Sequence, residues 1–339
     1  MSTSGNSSDP FDLSGYNGTG PIPPAPPGVD PDLWQGLFHI RTGCFPFLVD
    51  GIDNSYSYWP TLGAGIAFDV LFGIALIGHL IQFARFRKWT SILFALGAAT
   101  EAIGWAGRTW SAKCPYNRDA FLMQITTLII APTFFAAALY VLLHNLITRL
   151  GRETSMLSPR MYAIVFCTCD VISLVVQAVG GAMASQAADS IDGNTAPGTN
   201  TMVAGIAFQL FTMSIFAVFV VDFLRRVQRI SRRGPGEKRA LLTRPIRLVL
   251  VAVFISFIMI YVRSIYRTIE LAQGWTGNLI THEGYFIGLD ATLMFIAVAV
   301  FLVFDPASLL RDDAVGRPAT ALMGDPAAKE SDSADSAAR

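Results

Sequence analysis

Apolar residues run almost unbroken through positions 62–81, 91–109, 121–147, 161–184, 202–224, 246–269 and 284–304. A helix crossing a bilayer needs roughly 20 apolar residues, and each run is that long. The pattern predicts an all-α membrane protein, a seven-transmembrane helix bundle. Its helices are expected at about 61–82, 89–110, 119–147, 160–185, 201–225, 245–270 and 283–304. The second run, SILFALGAATEAIGWAG, is the least greasy and is rich in Gly and Ala, which suits close helix packing. Residues 1–55 read as an extracellular tail, 56–306 as the helical domain and 307–339 as a disordered cytoplasmic tail. No basic start followed by an apolar core marks a cleaved signal, so the first span is the expected targeting signal.

Composition agrees with this class. The chain is 52% hydrophobic and 15% charged, whereas a soluble protein carries about 25% charged residues. Formal net charge is zero, so nothing favours a nucleic-acid partner. The basic residues are uneven. Arg85, Arg87 and Lys88 follow span 1, and Arg149, Arg152 and Arg160 follow span 3. The 224–247 linker after span 5 is strongly basic, and the C-terminal tail adds more. Basic ends mark the cytoplasmic side, which places the N-terminus outside and the C-terminus in the cytosol. Asn6 and Asn17 then begin outward-facing glycosylation patterns. Cys44 and Cys114 also lie outside, where either a disulfide or two unrelated thiols fit. Cys167 and Cys169 read as packing residues within span 4.

Charge within the spans is the candidate chemistry. Ionisable residues in a membrane are expensive and usually face a bundle interior or a cavity. Span 1 carries Asp69, span 2 Glu101 and Arg108, span 3 Gln124, span 4 Asp170 and Gln177, and span 5 Gln209. Span 6 ends in Arg263, Arg267 and Glu270, and span 7 carries Glu283 and Asp290. The pairs seven apart share a helix face. Many of these positions fall between midplane and outer surface, which predicts an outward-biased polar cavity. The alternatives are arginines that snorkel to the headgroups and carboxylates in purely structural pairs. Pro132 kinks span 3, beside a pocket or simply to shape the bundle. His79 and Asp222 lie near the inner face, and Tyr58-Trp59-Pro60 opens span 1 at an interface suited to aromatics.

Several chemistries are excluded. No span contains lysine for a retinal Schiff base. The four histidines fall on different elements, which disfavours a zinc site. No GxxxxGK[ST] loop is present to use ATP. Seven spans do not divide into two equal repeats. No cofactor is expected, and no nucleophile accompanies the carboxylates, so the chain does not read as an enzyme.

The polar residues resemble those of the fungal RTA1-like family, the lipid-translocating exporters. The matching pieces are Tyr58-Trp59-Pro60, His79 with Gln82, and EAIGWAGR at 101–108, similar to ExxGYxxR. They continue with Gln124, Ala131-Pro132 and Tyr140, DVISLVVQAVGG at 170–181, Gly205 and Gln209. RSIYRTIE at 263–270 with Gly274, then Glu283, Leu289-Asp290 and Met294, complete the set. Asp305-Pro306 departs from the family's usual His-Pro, and Leu289 replaces an aromatic. The resemblance implies a fungal plasma-membrane protein, with vacuolar or other internal membranes as further sites. It implies a role in export of sphingoid long-chain bases, resistance to toxic amphiphiles or, in one branch, porphyrin uptake. The expected partners are membrane lipids or amphiphilic small molecules. Two functions follow: ATP-independent translocation of such amphiphiles, or receptor-like sensing of lipid or drug stress. In the second, the basic 224–247 loop contacts a cytoplasmic partner or anionic lipid.

Overall fold

The computed structural model describes residues 44, 54, 56, 58–151, 154–188, 194–233, 243–274 and 277–315. Asn6, Asn17, most of the N-terminal tail, the centre of the basic 224–247 loop and the tail beyond 315 lie outside the described residues.

All regular structure among the described residues is helical. The long helices are α1 (Leu62–Phe86), α2 (Trp89–Lys113), α3 (Arg118–Leu150), α4 (Pro159–Ala188), α5 (Ala196–Arg233) and α6 (Arg244–Ala272). The next helix, α7, is composite: an α-helical turn Glu283–Phe286, a π-helical turn Ile287–Ala291 and an α-helix Thr292–Val303. A short helix, α8 (Pro306–Val315), follows. Among the described residues, six helices are long and apolar enough to cross a membrane, namely α1, α3, α4, α5, α6 and the α7–α8 segment. Helix α2 has spanning length, but its charged and small residues leave it below that apolar level.

Local chemistry sets the helix ends. The Asn117 side chain accepts from Ala120 N at 3.0 Å, capping α3. Gly151 closes α3 at φ 97° and ψ 145°, a positive-φ conformation open to glycine, with its N–H bonding the Ile147 carbonyl. Pro245 sits in the first turn of α6, where its missing N–H costs nothing. Asp305 accepts from Ala307 N at 3.0 Å and Ser308 N at 3.3 Å. That cap starts α8 where the sequence reading placed a disordered tail from 307. Helix α5 likewise runs past the expected end near 225, because arginine favours helix as well as water.

Sequential helices pack side by side from α1 to α7, and α7 returns to touch α1 and α3. Helix α3 meets α2, α4, α6 and α7, so it is the most enclosed. Small residues make the tightest joins. A Cβ added at Gly107 would lie 3.0 Å from Ala120 O and Gln124 N, and one at Gly180 would lie 2.5 Å from Met202 N. The α2–α3 and α4–α5 backbones therefore approach directly. On α1, Ile66, Val70, Ile74, Ile77 and Ile81 form an outward stripe, each about half exposed or more. A solvent that tolerates such a stripe is lipid.

Candidate functional site

The predicted polar residues gather into one principal region and three smaller ones. The principal region has an outer group between the start of α1, α2, α3 and the start of α7, and an inner group between α2, α3, α6 and α7.

The outer group centres on Arg108, which is 1% exposed. Its Nη2 donates to Glu283 Oε1 at 2.7 Å and to the Tyr58 hydroxyl at 2.9 Å. Glu283 also accepts from Thr61 N at 2.8 Å and Thr61 Oγ1 at 2.5 Å. One carboxylate thus ties the start of α1, the end of α2 and the start of α7. The Arg108 guanidinium lies 4.7 Å from the Phe286 ring centre, 5.6 Å from those of Tyr56 and Tyr58, and 5.9 Å from that of Trp105. These faces stabilise a cation where water is scarce. The Tyr56 hydroxyl lies 2.7 Å from Gln124 Oε1 and 2.9 Å from Ser111 Oγ. Burial pushes the Tyr56 and Tyr58 phenols up, against the pull of Arg108, so both keep their protons.

The inner group is built on α6. Arg263 Nε lies 2.9 Å from Asp290 Oδ1, and Arg267 Nε lies 3.3 Å from the same oxygen. Neither contact has hydrogen-bond alignment, so Asp290 is held by charge. Arg267 Nη1 donates to Glu270 Oε2 at 2.5 Å, and Tyr266 donates to Glu270 Oε1 at 2.7 Å. Arg263 Nη2 donates to the Leu128 carbonyl at 2.7 Å. That carbonyl is the one whose helical partner would be the N–H of residue 132, which proline lacks. Pro132 therefore creates the acceptor that Arg263 uses. Glu101 completes the group. It is fully buried within electrostatic reach of Arg263, Asp290 and Arg267. The Trp105 indole N–H lies close to its carboxylate without hydrogen-bond alignment, so neither oxygen has an aligned partner.

The π-helical turn lies under this group. Asp290 falls within it, and Thr292 Oγ1 donates to the Ile287 carbonyl at 2.9 Å, across five residues. Such insertions collect at functional sites. The Phe286 ring joins the two groups, with Arg267 5.7 Å from its centre and Arg108 on it as well.

Other predicted residues lie elsewhere. Asp170 accepts from Tyr140 at 3.0 Å between α4 and α3. Gln177 donates to Ser173 Oγ at 2.7 Å and Gln209 Oε1 at 3.2 Å, while Ser173 donates to Gly205 O at 2.6 Å, joining α4 to α5. Asp69, partly exposed, accepts from Thr109 at 2.9 Å. These are helix-joining contacts outside the charged region. His79 is fully buried, with Nδ1 2.9 Å from Gln82 Oε1 and Nε2 3.3 Å from Val298 O. Asp222 pairs with Arg226 one turn on. Cys44 and Cys114 are joined by a disulfide.

The charged region is enclosed rather than wet throughout. A shallow depression of about 550 Å³, lined by Tyr58, Trp59, Thr281, His282, Glu283, Gly284 and Tyr285, reaches Glu283 from the α7 N-terminal end. Glu101 and Asp290 are 0% exposed, and Arg263, Arg267 and Glu270 are buried beneath it. The snorkelling alternative for Arg267 and Glu270 does not describe these side chains. Sequence reasoning missed Tyr56, Thr61, Ser111, Tyr266 and Phe286. Only Tyr266, inside the 263–270 motif, carried a usable signal.

Comparison with known proteins identifies relatives of the chain. The family model described as RTA1 like protein matches residues 94–313. The sphingoid long-chain base transporter RSB1 of Saccharomyces cerevisiae is 34% identical over 301 residues, covering 79% of this chain and 77% of the relative. Protein RTA1 of the same yeast is 27% identical over 281 residues, covering 74% and 84%. Protoporphyrin uptake protein 1 is 29% identical over 213 residues, covering 62% and 67%. No solved structure matches the chain. With the extent of the family match, and with the ordered motifs seated on one helix bundle, the chain belongs to the fungal RTA1-like family of multi-spanning membrane proteins.

Proposed function

We propose that the protein is an ATP-independent translocator of amphiphiles bearing a cationic headgroup, with sphingoid long-chain bases as the best-fitting class. The observation that carries the reading is a charge imbalance. In the inner group, Glu101, Glu270 and Asp290 face only Arg263 and Arg267. An unneutralised carboxylate buried in an apolar bundle is very costly. A proton on the group relieves that cost, and so does an ammonium from a ligand. Glu101, with neither oxygen in an aligned hydrogen bond, is the natural position for either. An amine arriving at Glu101 then displaces a proton, which gives directional transport an energy source without nucleotide. Similarity to a sphingoid long-chain base transporter supports the same substrate class.

The reading includes α2 as a seventh crossing, with the N-terminus outside and the C-terminus in the cytosol. The basic residues after spans 1, 3 and 5 support that orientation. The plasma membrane is the fitting location. The depression over Glu283 is then the outer vestibule, closed below by the Arg108–Glu283 pair. Receptor-like signalling remains the second reading, supported by the continuation of α5 as one helix to Arg233 into the basic loop. The deciding experiment measures movement of a labelled long-chain base across proteoliposomes with an imposed proton gradient. Wild-type protein should accelerate it, while Glu101→Gln should not, at unchanged melting temperature. Wild-type flux equal to that of protein-free liposomes would refute translocation.

A further inference from the structure

At the opposite end of the bundle from Glu283, a second cavity of about 340 Å³ opens between the α1–α2 turn, the end of α3 and the start of α8. Its lining has two characters. Arg87, Lys88 and Arg149 supply positive charge from two separate elements, while Val141, Leu142, Pro306, Ala307 and Leu310 form an apolar wall. We propose that this cavity binds the phosphate of an anionic membrane lipid, with the start of its acyl chains against the apolar wall.

Four features support the assignment. First, Arg87 holds φ 50° and ψ 43°, the only positive φ outside glycine among the described residues. That αL cap ends α1, its N–H bonding the Phe83 carbonyl at 2.7 Å, and the turn it makes holds Arg87 and Lys88 side by side on the cavity wall. Second, Arg149 is fixed in direction, because its Nη1 donates to the Leu310 carbonyl at 2.6 Å. Third, no side chain caps the first turn of α2, whose Trp89 and Thr90 line the cavity. Helix N-terminal N–H groups attract anions. Fourth, Trp89 is 78% exposed beside the cavity, a position suited to the bilayer interface. The neighbouring carboxylate, Asp305, is occupied in capping α8. The positive lining repels an ammonium, so the site does not suit the cationic amphiphile proposed for Glu101. An apolar wall contributes nothing to inorganic phosphate, which favours the lipid.

The test uses the full chain in vesicles and the fluorescence of Trp89, isolated as the difference between wild type and Trp89→Phe. Brominated phosphatidic acid should quench it more strongly than brominated phosphatidylcholine at equal mole fraction. Basic side chains at an anionic surface favour the anionic lipid, and a preference of about tenfold in half-quenching concentration is expected. The double variant Arg87→Gly, Lys88→Gln should remove that preference. Glycine suits the backbone at 87, so folding is preserved. Equal quenching by both lipids in wild type, or a preference that survives in the double variant, would overturn the proposal. Loss of the preference on adding inorganic phosphate at constant ionic strength would assign the cavity to a free anion instead.

Discussion

Arg263 shows how one backbone defect organises a site. Proline at 132 removes an N–H, and the carbonyl of Leu128 passes to the arginine. Arg263 also sits against Asp290, so it serves one acceptor and one counter-charge on two helices. Arg263→Gln should therefore destabilise the bundle by about 3–5 kcal/mol, the usual cost of orphaning a buried charge partner. A thermal melt in detergent would measure it, and an unchanged melting temperature would contradict the assignment. Glu101→Gln puts a neutral amide in place of a carboxyl that has no aligned hydrogen-bond partner, so the melt should not fall. The charged positions were readable from sequence, because a carboxylate in a greasy run stands out. The Leu128 carbonyl was not, since a backbone acceptor has no letter and its donor lies 135 residues away in sequence.

Among the elements, α7 carries the main departure from regularity. Its π-helical turn holds one residue more than an α-helical turn would. Glu283 on one side and Asp290 within the turn therefore face Arg108 and Arg263 in this register. Deleting Gly288 should restore α-helical hydrogen bonding and rotate the Glu283 end by about 100°. Helix content by circular dichroism should stay near wild type, while transport is lost. Retained transport would show that the register is unimportant. The α4–α5 join is stricter. Gly180→Val puts a side chain against the Met202 backbone, and loss of folded protein by size-exclusion chromatography is expected. Run lengths predicted the six helices that are long and apolar enough to cross a membrane, because lipid thickness sets such runs. They could not predict the π turn, which leaves the hydrophobic run unbroken. They also could not predict α8 or the extension of α5, because polarity marks the edge of the membrane rather than the end of a helix.

At the scale of the molecule, the bundle is closed by contacts between distant parts of the chain. The Cys44–Cys114 disulfide spans 70 residues and holds Cys44 at the end of α2. In the chain-entropy account, closing such a loop contributes about 4 kcal/mol. Cys44→Ser with Cys114→Ser should lower the melting temperature of purified protein, and reductant should then have no further effect on that variant. An identical melt would remove the bridge from the stability account. The order of spans and the grouping of motifs were legible in the sequence. The return of α7 to α1, and the separation of Asp170, Gln177, Gln209 and Asp69 from the main region, were not. Depth along a span can be read from position, but the neighbour a side chain meets depends on how seven helices turn about their axes.

The ring of Phe286 lies against the guanidiniums of both Arg108 and Arg267. One ring thus serves two cations that belong to separate clusters, so its position is a constraint common to both, and neither cluster can be repacked independently of the other.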